Sequence, residues 1–235
     1  MSFVHESAIW AAFPTLVPSV LLVEGIRPDG DVSARLGPRF ARARARLAGA
    51  TESDLPEVQA WRRAFSQMGL KPTQYRSAAE ALLRRFRKED TLPTLHPLVD
   101  LCNAVSLAFA LPVAVIDLDQ VAGGIQVRHA DGDEIAMAFS GEVEHPEPGE
   151  VIFADADRRV HARRWTFRQS RHSTVSATTR RALIVSEGLH ATAAVDVVAL
   201  LDVLEAELRA VGFVPSQRAI LTADAPRWAW GKDES

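Results

Sequence analysis

The hydrophobic pattern changes period near the middle of the chain. Val20-Leu21-Leu22-Val23 is continuously apolar between Pro18 and Gly25, which predicts a buried strand. Phe40 to Gly49 alternates alanine with arginine, both good helix formers, and Gly49 is a fitting stop. A helix is predicted to start at Asp54, where Asp54-Leu55-Pro56-Glu57 offers a cap oxygen and a first-turn proline. Its apolar stripe is Leu55, Val58, Trp61, Ala64, Phe65 and Met68, and Gly69 ends it. Ser77-Ala78-Ala79-Glu80 is a second capping box, opening a helix through Leu82, Leu83 and Phe86. A further helix is predicted from Pro97 to Ala110, with Asp100, Asn103 and Ser106 as a polar line beside its apolar stripe, placed to face a cleft.

After Pro112 the texture is that of strands. Val113 to Asp117, Ile125 to Arg128, Glu134 to Phe139, Val151 to Phe153, Val160 to Thr166 and Arg181 to Ser186 are predicted strands, with a turn at Asp131-Gly132. A helix is predicted from about Ala191 to Val211. The tail with Trp228 and Trp230 shows little periodicity. Helices, then strands, then a helix argue for an α+β unit. One domain over 1–235 is expected, with a strand and a basic helix in 1–54 and a helix and tail in 191–235.

Composition narrows the class. Hydrophobic residues are 47% of the 235, ample for a core, and charged residues are 24%. The single cysteine, Cys102, excludes a disulfide framework and sits in an apolar helix as a buried structural residue. No apolar run approaches the ~18 residues that span a membrane. The N-terminus lacks a basic segment followed by an apolar one, so no signal peptide is expected and the cytoplasm is the expected compartment.

The net charge of -3 conceals segregation. Residues 35–88 hold 13 basic and 4 acidic residues, and residues 158–181 hold 8 arginines and no acid. Either solvated helix faces or a cationic face for an anionic partner follows from that pattern. No P-loop, GxGxxG, HExxH or Gly-x-Ser-x-Gly motif is present, and His161 and His172 lack nearby acidic ligands in sequence. No metal and no cofactor are expected. Asp117 and Asp119 lie two apart and would share a strand face as a carboxylate pair, or serve a turn.

One set of residues carries a resemblance. Asp100, Asn103, Pro112, Asp117-Leu118-Asp119, Gly123-Gly124 and Arg128 fall at the spacing seen in the B3/B4 domain of the phenylalanyl-tRNA synthetase β subunit. Trp61-Arg62, Gly69-x-Lys71-Pro72, Tyr75-Arg76-Ser77, Glu80-Ala81-Leu82 and Arg163-Arg164-Trp165 with Arg168-Gln169-Ser170 resemble free-standing B3/B4 proteins. The resemblance covers about residues 55–190. It implies a three-layer β/β/α fold and a stand-alone deacylase that hydrolyses mischarged aminoacyl-tRNA in trans, with tRNA as partner and neither DNA nor a membrane. Two departures stand out. The family's histidine two residues after the proline is Ala114 here, and Arg164 to Ser170 replaces its Ala-Gly-rich loop. Both argue against tyrosine as the substrate.

The resemblance also implies roles. Asn103 would orient the amino acid or the terminal ribose, and Asp117 would hold the amino group or the pocket loop. Arg164, Arg168 and Gln169 would bind the acceptor-end phosphate and the ester oxygens. Trp165 would stack on the terminal adenine. Ser170, Thr174, Thr178 and Arg128 complete the expected substrate contacts, while Trp61 and Glu80 read as architecture, Glu80 pairing with an arginine of the second window. A tRNA-binding module without catalysis and an amino-acid sensor are the competing readings.

Overall fold

The computed structural model describes residues 1–231. In chain order the strands are β1 (Ser2–His5), β2 (Val17–Glu24), β3 (Val113–Asp117), β4 (Gly124–His129), β5 (Ala136–Met137) and β6 (Val143–Glu144), then β7 (Val151–Ala154), β8 (Val160–Arg163), β9 (Arg168–Gln169), β10 (Arg181–Gly188), β11 (Val214–Ile220) and β12 (Arg227–Ala229). The helices are α1 (Ser7–Ala12), α2 (Ser33–Leu47), α3 (Pro56–Gln67), α4 (Ala78–Glu89), α5 (Pro97–Phe109) and α6 (Ala193–Ala210).

Two sheets stack. One has six strands in the order β12-β1-β4-β7-β8-β9, the other four in the order β11-β2-β10-β3. The alternation in β2 and β10 explains the layering. Val20, Leu22, Leu183 and Val185 face the six-stranded sheet, where Phe3, Ile125, Val127 and Phe153 meet them. Leu21, Val23, Ala182 and Ile184 face the other way, against α5 and α6 through Leu101, Val105, Leu201 and Leu204. Both faces of β2 and β10 are therefore dry, which is why their sequences are continuous apolar runs. The result is an α+β fold of three layers, β/β/α.

Several boundaries differ from expectation. Asp54 does not cap α3; its carboxylate instead accepts from Thr51 N at 2.8 Å and closes a separate 3-10 turn over Glu52–Asp54. Helix α2 begins at Ser33, earlier than the Ala/Arg stretch, with Pro38 inside it. Ser77 caps α4, accepting from Glu80 N at 3.3 Å. The strand expected over 134–139 shrinks to β5, because the Glu134 side chain turns back to bind the backbone N–H groups of Asp131 and Gly132. The strand expected over 160–166 ends at Arg163, because Arg164 and Trp165 adopt φ of 46° and 61°. The tail supplies β11 and β12, with Trp228 paired in register to Phe3 and stacked on Trp230. No helix among the described residues is long and apolar enough to cross a membrane.

Candidate functional site

Two consecutive left-handed residues build the site. Non-glycine residues at positive φ cost of order 1–3 kcal/mol each, so something must hold them. Arg164 N donates to Glu150 Oε1 at 3.0 Å, and Trp165 N donates to Val151 O at 2.7 Å. The turn drops the Trp165 indole inward, where it is 1% exposed. There it meets Phe13 and Trp61 edge-on, at centroid distances of 4.9 and 5.0 Å. Its Nε1 donates to Glu187 Oε2 at 2.8 Å, and His5 Nε2 lies 2.6 Å from Glu187 Oε1.

Above Trp165 lies a cavity of about 80 Å³ between the sheets. Its walls are apolar: Pro112, Val113 and Ala114 at the start of β3, Phe153, Ala162 and Val185. Glu187, Thr166, Arg168 and Gln169 bring polar groups to it. Thr166 Oγ1 is buried with no hydrogen-bond partner, while Thr166 O accepts from Ala78 N at 2.7 Å and ties the loop to the start of α4. Gln169 Nε2 donates to Val115 O at 2.7 Å, clasping the edge of one sheet to the edge of the other. Ala114 contributes a methyl group to this wall.

The expected site residues divide among different places. Gln169, Arg168 and Trp165 meet at this cavity. Trp165 is too buried to stack on a base, which corrects that expectation. Asn103 does not reach the cavity; it lines a separate cleft with Leu36, Phe40, Pro93 and Asp100. Of the polar line on α5, Ser106 turns inward and donates to Leu111 O at 2.6 Å. Asp117 and Asp119 are not a carboxylate pair. Asp117 caps a 3-10 turn, accepting from Asp119 N at 3.0 Å and from Thr179 Oγ1 at 2.6 Å, while Asp119 pairs with Arg181 at 3.0 Å. Thr174 shares a shallow cleft with Asp117, and Thr178 lies outside it, hydrogen-bonded to Ser176. Ser170 is buried, and its hydroxyl accepts from Met137 N at 3.0 Å as a structural cap. Arg164 lies over the Tyr75 ring at 4.6 Å, beside a different pocket. Arg128 is held by Glu134 at 2.5 Å and lines an open polar cleft with Arg158 and Arg227.

The arginine windows are neutralised in space. Arg35 and Arg39 converge on Glu207, Arg46 on Glu57, Arg84 and Arg87 on Glu52, and Arg62 and Arg76 on Glu80. Glu80 therefore serves first-window arginines, not the second window as expected. Arg163 bridges Glu144 and Glu150 at 2.7 and 2.8 Å, Arg168 reaches Glu144, and Arg158 reaches Asp131 and Asp133. Most guanidinium groups of both windows thus face carboxylates among the described residues.

Two clusters bring three potential metal ligands together, Glu57 with His190 and Asp196, and Asp131 with Asp133 and Glu134. Guanidinium groups already occupy both: Arg46 on Glu57, Arg158 on the two aspartates, and Arg128 on Glu134. They read as ion-pair networks. Burial pushes the Cys102 thiol up, away from reactivity.

Sequence reasoning missed Glu187, Thr166 and His5. The signal for Glu187 was available. Leu183 and Val185 face the inter-sheet core, and period-two spacing sets Glu187 on that same face, an acid at a buried position.

No curated protein matches the chain. Among solved structures it is similar to an N-terminal fragment of the phenylalanyl-tRNA synthetase β-subunit from Pyrococcus horikoshii, at 14% identity and a TM-score of 0.48. The match covers 90% of this chain and 48% of the fragment, so the chain spans about half the fragment's length. Residues 60–197, which contain every wall of the inter-sheet cavity, match the family described as the B3/4 domain, and the chain belongs to that family.

Proposed function

We propose that this protein is a stand-alone aminoacyl-tRNA deacylase, acting in trans on mischarged tRNA. One observation carries the reading: the inter-sheet cavity is assembled wholly from the B3/4 segment and presents a buried carboxylate, an unpartnered hydroxyl and a side-chain amide to an apolar chamber. The aminoacyl ester is already activated. Water adds through oxygen to the carbonyl carbon, the bond to the ribose oxygen breaks, and that oxygen takes the proton. Free amino acid and tRNA leave. Such a reaction needs placement of the ester and of one water, with donors for the developing oxyanion. Thr166 brings a free hydroxyl to the cavity, and Gln169, whose amide N–H groups bond Val115 O and Ser173 O, fixes the wall beside it. The test is release of amino acid across a complete panel of charged tRNAs, with Gln169→Ala slowing it at least tenfold. No release from any member would defeat the reading.

The neutralised arginine windows favour a second reading, an amino-acid-binding sensor without RNA. Its mark is a rise in melting temperature with free amino acid and no tRNA binding.

A further inference from the structure

The inter-sheet cavity is sized and lined for a particular side chain. We propose that it takes a short, hydroxyl-bearing side chain, of the serine and threonine class, and excludes aromatic ones; the proposal rests on the deacylase reading for the ester, and on the cavity itself for the side chain.

Size comes first. The free volume is about 80 Å³. A cavity that admits benzene measures about 150 Å³. A phenol ring is larger than benzene, whereas seryl and threonyl side chains add only two or three heavy atoms beyond Cα. The inner wall is fixed. Trp165 is wedged edge-on between Phe13 and Trp61 and tied to Glu187, and Phe153 is 2% exposed. Enlarging the chamber inward would break the Trp165–Glu187 bond and unseat both aromatic neighbours.

Chemistry comes second. A purely aliphatic occupant would leave Thr166 Oγ1 buried and unpartnered, as it stands without a ligand. An orphaned buried hydroxyl costs about 1–3 kcal/mol, which a ligand able to bond it recovers. Each oxygen of Glu187 accepts one bond, from His5 and from Trp165, and a carboxylate oxygen has room for a second. A ligand hydroxyl can serve either of these two lining groups, donating to Glu187 or accepting from Thr166. Alanine fits the space but satisfies neither group.

The probes are three non-hydrolysable mimics of the charged tRNA terminus: 3′-deoxy-3′-aminoadenosine carrying seryl, alanyl or tyrosyl in amide linkage. Calorimetric titration is expected to give the seryl mimic at least tenfold tighter binding than the alanyl, and no measurable binding of the tyrosyl. Thr166→Val keeps the shape and removes a hydroxyl that has no protein partner, so it folds normally. It is expected to weaken the seryl mimic at least tenfold. Ala114→Leu fills the chamber and is expected to abolish seryl binding. Equal or tighter binding of the tyrosyl mimic, no preference for seryl over alanyl, or no binding of any mimic overturns the proposal. Seryl binding without release from any charged tRNA defeats the deacylase reading and leaves this one standing. Release confined to tyrosyl-tRNA does the reverse.

Discussion

Trp165 and Glu187 are joined by one hydrogen bond, indole Nε1 donating to Oε2 at 2.8 Å, within the layer where the two sheets meet. Both residues are 1% exposed. Removing the donor leaves a buried carboxylate oxygen unsatisfied, at a cost of about 1–3 kcal/mol beyond the lost packing. Trp165→Phe is therefore expected to lower unfolding free energy by roughly 3 kcal/mol in urea titration, counting the smaller ring. Glu187→Met in the same chain removes the group left orphaned. The double variant should be less destabilised than the two single variants predict, by about 1 kcal/mol or more. Strict additivity would show that the bond does not hold the wall.

Gln169 and Asn103 separate two accounts of the chemistry. The resemblance gives both a role, yet Gln169 lies at the inter-sheet cavity and Asn103 lines a cleft with Leu36 and Phe40. If the ester sits between the sheets, Gln169→Ala should slow amino-acid release at least tenfold more than Asn103→Ala does. Gln169→Ala also opens the clasp to Val115, so its unfolding free energy should fall by about 1 kcal/mol. Single-turnover rates on purified folded protein separate the two effects. A larger loss from Asn103→Ala would move the reaction to the other cleft.

What could be read from sequence follows physical range. Strands β2 and β10 were legible because both faces are buried and the apolar run is unbroken. Helix α5 was legible through Pro97 in its first turn and its apolar stripe; its cap, where His96 Nδ1 accepts from Leu98 N at 3.2 Å, uses a residue outside the usual capping set. Strand β1 was not, because four residues with alternate burial carry little signal, and its parallel pairing to β4 joins positions more than 120 residues apart. β11 escaped for the opposite reason: as an edge strand it exposes Gln217 and Arg218 and has no apolar alternation to detect. The candidate site was legible in part. Gln169 and Arg168 came from the family resemblance, but the cavity depends on His5 meeting Glu187 across 182 positions, which no local window contains. The arginine windows misled because charge counted along the chain omits the carboxylates that folding brings to each guanidinium.

Glu134 gives the pH dependence a specific origin. Burial alone would raise its carboxyl. The backbone N–H groups of Asp131, Gly132 and Glu134 itself, together with Arg128, outweigh that and hold it at about 2, against 4.5 ordinarily. The side chain is 0% exposed, so the linkage is not diluted by solvent. A carboxyl depressed in the native state adds stability that is complete above its unfolded value and is lost as pH falls toward the native one. Glu134 should thus contribute roughly 3 kcal/mol at neutral pH, fading between about pH 4.5 and 2. Glu134→Gln is expected to be less stable than wild type at pH 7 and to approach it near pH 2. Urea titrations at both pH values check this. An equal deficit at both would assign the loss to packing.

Salt dependence tests how the protein would hold tRNA. Each phosphate neutralised by a lysine or arginine contributes roughly 0.7–0.9 to the slope of log affinity against log salt. The two windows hold 21 basic residues, and if all met phosphate the slope would approach roughly 15 or more. Most of these guanidinium groups instead face carboxylates. Among the described residues Arg63, Lys71, Lys88, Arg171 and Arg180 make no ion pair, and Arg42 lies over the Phe109 ring at 4.1 Å. A rigid protein therefore offers at most a few phosphate contacts, and the expected slope is about 3–4. Filter binding of tRNA from about 50 to 200 mM salt measures it. Charge reversal at Arg63 and Lys71 should lower the slope by roughly one unit or more, whereas reversal at Arg35, already paired with Glu207, should leave it nearly unchanged. A wild-type slope near ten would mean that binding opens the ion pairs and exchanges carboxylates for phosphates, so that the arginine windows act together only in the complex.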